Sequence, residues 1–271
     1  MPAIQSLKKQ LRSIRSTQKL TKAMKTISTV KFAKLNEIYS HYSAYGHECE
    51  KMFEHYGAVF SEILSESNPD APACVLVISS NKGLCGNFNT ELLKFFSENI
   101  REFDSPVIMA CGKKAISYCK NRKMVLQKEY ILNDVPDYSD CCRIFDDIIT
   151  LRKEGKISQV YVVYQQYHNM LRQSPAITKL FSSEQNADSH SAEFIPDKKT
   201  VILKIAQNMY KASMYEIFIE ASIGAQAATL MTMRSGYDTA TEYVESLERE
   251  INHLRQSAVT ADVITTAENH D

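Results

Sequence analysis

Proline is missing between Pro2 and Pro69. A proline ring removes one helical hydrogen bond and clashes with the preceding turn. Nothing in that stretch therefore forces a helix to stop. Net charge is missing as well: 32 Lys and Arg stand against 32 Asp and Glu, and the pI is near 7.0. Whole-chain electrostatics thus name no partner. The seven cysteines, Cys49, Cys74, Cys85, Cys111, Cys119, Cys141 and Cys142, include no Cys-x-x-Cys pair and no Cys/His metal spacing. They read as buried free thiols in a reducing compartment, where a cysteine behaves as a small hydrophobe. No apolar run approaches the roughly 18 residues of a membrane span, and no signal peptide is visible.

What is present is periodicity. From Ile219 the apolar positions run Ile223, Gln226, Leu230, Met233, Tyr237, Ala240, Val244, Leu247, Ile251, Leu254, Ala258, in steps alternating between four and three. That alternation keeps one stripe of a helix facing a partner helix, and a strand would need period two. The N-terminal segment opens with Ile4, Leu7, Leu11 and Ile14 and carries a second seam, Leu35, Ile38, Tyr42, Tyr45, Cys49, Met52, Tyr56, Val59 and Ile63. One helix ending before Ser67-Asn-Pro-Asp-Ala-Pro72 is expected, about 90 Å long at 1.5 Å per residue. The two ends differ in sign. Residues 1–36 carry nine Lys and Arg and no acid, whereas from Asp238 onward eight acids face only Arg249 and Arg255. Laid side by side they would attract, by a few tenths of a kcal/mol per exposed pair, roughly.

The middle changes period. Cys74–Ile78, Pro106–Ala110 and Val160–Tyr164 are continuous apolar runs, as in strands buried on both faces. Glu91–Glu102, Lys113–Lys120 and Ser139–Lys153 read as helices between them, which implies a small parallel α/β layer. Ala176–Phe181 and Thr200–Ile205 are expected as later strands, and Ser182–Asp197 as an exposed loop. The expected division is residues 1–67 as one long helix, 72–205 as a small Rossmann-like α/β domain, and 207–271 as the second long helix. The two helices are expected to form an antiparallel coiled coil.

Three blocks, one in each segment, resemble the gamma subunit of F-type ATP synthases. They are Ile14-Arg-Ser-Thr-Gln-Lys-Leu-Thr-Lys-Ala-Met-Lys25, then Ser79-Ser-Asn-Lys-Gly-Leu-Cys-Gly-Asn-Phe-Asn89, and finally Leu247, Asn252, Arg255-Gln256 and Thr260. The resemblance implies a central-stalk rotor without a catalytic site, cofactor or metal. Its helix pair would stand inside a ring of three alpha and three beta subunits. Its foot would sit with epsilon on the ring of c subunits, with delta also in the complex, peripheral on the cytoplasmic face of a bacterial inner membrane. Proton or sodium flow would turn the foot. Carried over residue by residue, Lys19, Lys22, Met24 and Lys25 would face alpha and beta, and Arg255, Gln256 and Thr260 would meet the beta loop that catches the rotor. The resemblance also places the basic N-terminus inside the mature fold, which answers a transit-peptide reading of it. The sequence departs from the family at Asn81, Lys82, Gln226, Leu230 and Thr239, and in its more polar C-terminal tip.

Blander readings stand beside these. Ser79–Asn89 lacks both Gly-x4-Gly-Lys-Ser/Thr and Gly-x-Gly-x-x-Gly, so Gly83, Cys85 and Gly86 read as a structural turn rather than a phosphate cradle. The basic N-terminal residues suit a coiled-coil flank better than nucleic acid or lipid. His168 and His190 show no triad or metal spacing. Two rivals stay open at this point: a coiled-coil adaptor with a nucleotide-sensing α/β insert, and a small enzyme using the strand ends of that insert.

Overall fold

The computed structural model describes residues 2–64, 68–180 and 198–268. The order of elements is helix α1 (Pro2–Leu64), strand β1 (Cys74–Ile78), α2 (Phe88–Asn99) with a 3-10 extension (Ile100–Glu102), β2 (Val107–Cys111), α3 (Lys113–Asn121), β3 (Leu126–Tyr130), α4 (Tyr138–Lys153), β4 (Val160–Asn169), β5 (Arg172–Lys179) and α5 (Lys198–Glu268). The chain divides into two compact units: Met1–Thr29 with Thr229–Asp271, and Val30–Ala228.

The first unit is the N-terminal part of α1 beside the C-terminal part of α5. The two run antiparallel, since Arg15 pairs with Glu248, Gln18 with Thr241, and Thr21 packs against Gly236. The covered residues repeat at helical spacing: Ile4, Leu7, Leu11, Ile14, Gln18 and Thr21 on α1, and Met233, Tyr237, Ala240, Val244, Leu247, Ile251, Leu254 and Ala258 on α5. A stripe with this repeat is stable in water only when a partner stripe covers it.

The second unit is a five-stranded sheet in the order β3-β2-β1-β4-β5. β3, β2, β1 and β4 are parallel, and β5 is antiparallel to β4. Side chains alternate across β1, so the sheet has two cores. Cys74, Leu76 and Ile78 pack with Ile144, Phe145 and Ile148 of α4, with Met214 and Phe218 of α5, and with Leu35 of α1. Val75 and Val77 face Leu92 and Phe96 of α2 and Ile116 of α3. Pro175 sits in β5, an edge strand, where its missing N–H is tolerated.

Two elements differ from the sequence reading. Thr200–Ile205, expected as a strand, lies in α5. Its β-branched residues carry strand propensity, but burial of Ala206, Met209 and Tyr210 at helical spacing just beyond it decides the outcome. β3 was not expected as a strand: Leu126-Gln-Lys-Glu-Tyr130 is an edge strand exposed along its middle, so no apolar run marks it. The loop expected at Ser182–Asp197 and the side chains of the seam from Tyr45 to Ile63 lie outside the described residues.

Gly112 holds β2 against the loop that follows β1. Its φ is +95°, and a Cβ there would stand 2.1 Å from the Ser79 carbonyl oxygen. Its N–H donates to the Tyr130 carbonyl at 2.9 Å. Gly112→Ala is therefore expected to destabilise the chain by about 3 kcal/mol, combining backbone strain with a displaced strand end. Urea unfolding followed by far-UV circular dichroism measures it, and a loss below about 1 kcal/mol would contradict the account.

Candidate functional site

Two places carry the residues singled out by sequence. The first is the helix pair. Lys19 and Lys22 are exposed on α1, Met24 and Lys25 are half-buried, and Arg255, Gln256 and Thr260 are exposed on α5. The Thr260 hydroxyl donates to the Gln256 carbonyl at 3.0 Å, an ordinary bond back to its own helix. With Arg15 level with Glu248 and Gln18 level with Thr241, Gln256 lies level with the opening turns of α1. The Lys19–Lys25 group and the Arg255–Thr260 group are thus two separate stations, roughly 20–25 Å apart along the pair. They do not form one cluster. Leu20, Ile27, Tyr243, Val259, Val263 and Ile264 are more than half exposed on the same unit.

The second place is the loop after β1. Here the strand order reverses around β1, and the crevice at the carboxyl ends of such strands is where α/β sheets bind ligands. The loop is knitted internally. Asn89 Oδ1 accepts from the Ser80 N–H at 3.1 Å, Asn89 Nδ2 reaches Cys85 Sγ at 3.0 Å, and the Phe88 N–H donates to the Cys85 carbonyl at 3.2 Å. Leu84 and Gly86 both have positive φ, 65° and 57°. Cys85 is buried with Phe88 and Ala225 of α5. Asn81 ties the loop to its neighbours: its Nδ2 donates to the Leu132 carbonyl at 2.6 Å, and its Oδ1 accepts from the Lys113 N–H at 3.2 Å. The cavity left among Ser79, Ser80, Gly112 and Asp134, with Phe218 and Ala225 of α5 as a wall, measures about 50 Å³. That holds a water or two, whereas ligand pockets run to roughly 300–1,000 Å³. Helix α5 packs against this crevice through Phe218 and Ala225.

Asp134 is the electrostatic anchor of this region, and sequence reasoning missed it. Its carboxylate meets Lys31 Nζ of α1 at 2.5 Å and Lys82 Nζ of the loop at 2.8 Å. Burial alone would raise its pKa, but hydrogen bonds and charge from Lys31 and Lys82 outweigh that and hold it below the ordinary 3.8. A lone aspartate in a polar loop gives no sequence signal; only the fold brings the two lysines to it. On the same face Glu220 of α5 accepts from the Tyr167 N–H at 3.0 Å, and burial raises its pKa. Burial pushes Cys74 and Cys111 up to about 12 and Cys119 to about 11, so all three are protonated at neutral pH. Among the described residues no group of His, Cys, Asp and Glu could hold a metal ion.

An antiparallel pair made from the chain's own two ends, with an α/β layer encoded between them in the sequence, defines a coiled-coil protein with an inserted α/β unit. A family model described as ATP synthase matches residues 3–267, and the chain belongs to that family. The chain is similar to the ATP synthase gamma chain of Clostridium botulinum, 25% identical over 227 residues, covering 79% of this chain and 80% of that one. It is also similar to the ATP synthase gamma chain of Desulfitobacterium hafniense, 26% identical over 192 residues, with 69% and 68% covered. The fold matches a chain in the Euglena gracilis mitochondrial ATP synthase structure of OSCP, F1 and c-ring, with TM-score 0.70, 15% identity and 99% and 93% coverage. A chain of the Tetrahymena thermophila mitochondrial ATP synthase central stalk and c-ring matches with TM-score 0.63, 19% identity and 80% and 98% coverage.

Asp134→Asn is expected to destabilise the chain by about 1–2 kcal/mol at neutral pH, given two charge-assisted bonds of which Lys82's is largely exposed. Because the folded carboxylate titrates below 3.8, the stabilisation is full above that value and is lost as pH falls through the lower folded pKa. Urea unfolding from pH 7 down to about 2 should show wild type and variant converging at the acid end. A constant difference across that range would contradict the assignment.

Proposed function

We propose that this chain is the gamma chain of an F-type ATP synthase, the central-stalk rotor that couples ion flow to ATP synthesis or hydrolysis. One observation carries the reading: the two ends of the chain pair antiparallel, Arg15 against Glu248 and Gln18 against Thr241, in a family member matched over nearly its whole length. The chain acts as a subunit of a complex and contributes no catalytic residue of its own. Its partners are the alpha and beta subunits, delta, epsilon and the c-subunit ring. No helix among the described residues is long and apolar enough to cross a membrane, and the reading places the chain peripherally at the cytoplasmic face of a bacterial inner membrane. An asymmetric shaft makes different contacts with each beta conformation, and only such differential contacts can shift populations around a ring. Lys19, Lys22, Met24 and Lys25 at one station, and Arg255, Gln256 and Thr260 at the other, are the residues proposed to make those contacts. Arg and Gln suit contacts that break and reform, because their hydrogen bonds are directional.

Affinity-tagged full chain expressed with its partner subunits is expected to co-purify with alpha, beta and epsilon. Leu247→Asp with Ile251→Asp is expected to abolish that co-purification, because two carboxylates enter the apolar seam. A wild-type chain recovered alone, binding nucleotide by calorimetry, would instead favour the adaptor with a nucleotide-sensing insert. Arg255→Ala with Gln256→Ala is expected to lower ATP turnover of the assembled complex about tenfold while assembly is retained. Normal turnover in that variant would remove these residues from the proposed contact.

A further inference from the structure

We propose that the groove between α2 and α3 is a docking site for an acidic, extended peptide segment of a partner polypeptide. The groove is open and large, about 710 Å³; the turn Gly83–Gly86 forms its mouth, and its four cations are none of the residues proposed to contact alpha and beta. Lys94 and Arg101 line one wall, Lys114 and Arg122 the other, and Glu98 is its one acid. What sets these cations apart is that four of them line one concave surface. Elsewhere in this unit Lys120 is neutralised by Glu129, Lys128 by Asp147, Lys156 by Glu154 and Lys211 by Asp146. Lys94, Arg101, Lys114 and Arg122 have no ion-pair partner among the described residues. An excess of unneutralised positive charge in a concave surface raises the local concentration of anionic ligands.

One of the four is already held in place. The Arg122 guanidinium carbon lies 4.6 Å from the centroid of the Tyr118 ring, and its terminal nitrogen donates to Ser97 Oγ of α2 at 3.1 Å. The guanidinium thus bridges the two helices with its plane fixed by the ring, and its other N–H groups stay available for a carboxylate. At the mouth stands Leu84, 58% exposed with φ +65°, an apolar side chain displayed on a strained turn. Lys114 reaches back over the same turn, its Nζ 3.9 Å from where a Gly83 Cβ would be.

The spacing selects a peptide over a single phosphate. Lys94 and Arg101 are seven residues apart, and Lys114 and Arg122 eight. Each row therefore spreads its charge over roughly 10–12 Å of helix. A phosphate needs donors that converge on one point. An extended chain advancing about 3.3 Å per residue crosses the same distance in three or four residues, so acidic side chains along it would meet successive cations. The apolar Leu84 adds a contact that a bare anion would not use.

The test is fluorescence anisotropy on the purified full chain, with a fluorescein-labelled peptide of alternating glutamate and glycine around a central leucine. Lys94→Glu with Arg101→Glu is expected to weaken binding about tenfold or more, and Lys94→Arg with Arg101→Lys to preserve it. Because α1 is also basic, Lys8→Gln with Lys9→Gln and Arg12→Gln serves as the control and should leave the affinity unchanged. All five altered groove and control sites are exposed, and unchanged circular dichroism verifies the fold. The proposal is overturned if the wild type does not bind the peptide, if the charge reversal leaves its affinity unaltered, or if the α1 variant is the one that loses binding. It is also overturned if inorganic pyrophosphate displaces the peptide at lower concentration than unlabelled peptide does, or if phosphatidylglycerol vesicles bind the chain through the same four cations while the peptide does not. Failure on any of these arms would leave the rotor reading standing, since co-purification tests that separately.

Discussion

The apolar seam between the N-terminal turns of α1 and the C-terminal turns of α5 is the constraint on which the rest depends. Each stripe taken alone would leave Leu7, Leu11 and Ile14, or Leu247, Ile251 and Leu254, facing water. Each such side chain is worth on the order of 1–2 kcal/mol when half or more covered. Cross-helix polar pairs add direction. Arg15 with Glu248 and Gln18 with Thr241 set register and antiparallel sense while contributing little energy, because they are exposed or only half-buried. A stripe repeating in threes and fours over this length has no use for period-two strands or for proline, and between Pro2 and Pro69 there is no proline.

Everything between the two helices has to bring the chain back. Four parallel strands with crossing helices, closed by the β4–β5 hairpin, accomplish that within one sheet. α1 and α5 contribute residues to both compact units, and on the sheet they supply Leu35, Met214 and Phe218 to one core. Asp134 then joins α1, through Lys31, to the loop after β1, through Lys82. The same packing explains why the strand-end crevice is nearly closed. Phe218 and Ala225 belong to a helix whose first task is structural, and about 50 Å³ is what they leave.

Much of this was legible in the chain, for identifiable reasons. The α5 seam from Ile219 to Ala258 could be read because period alone decides which positions are covered, and each of those positions is buried or half-buried. β1, β2 and β4 could be read because strands buried on both faces are continuous apolar runs. β3 could not, since Leu126-Gln-Lys-Glu-Tyr130 owes its pairing to β2 and not to its own composition. Thr200–Ile205 misled because β-branched residues suit strands, while the packing of Ala206, Met209 and Tyr210 settles the matter as helix. Asp134 and the cation-lined groove of α2 and α3 depend on residues far apart in sequence. Their chemistry becomes visible only once the sheet has brought them together.

The most direct test of the central claim is to lock the pair. Gln18→Cys with Thr241→Cys, joined by a short bismaleimide in the assembled complex, connects α1 to α5 at a point where the native side chains are 2.8 Å apart. If the two helices turn as one rigid body, the cross-link forms readily in the double variant, is absent from either single variant, and leaves ATP-driven turnover unchanged. A cross-link that fails to form, or one that stops turnover, would contradict the account.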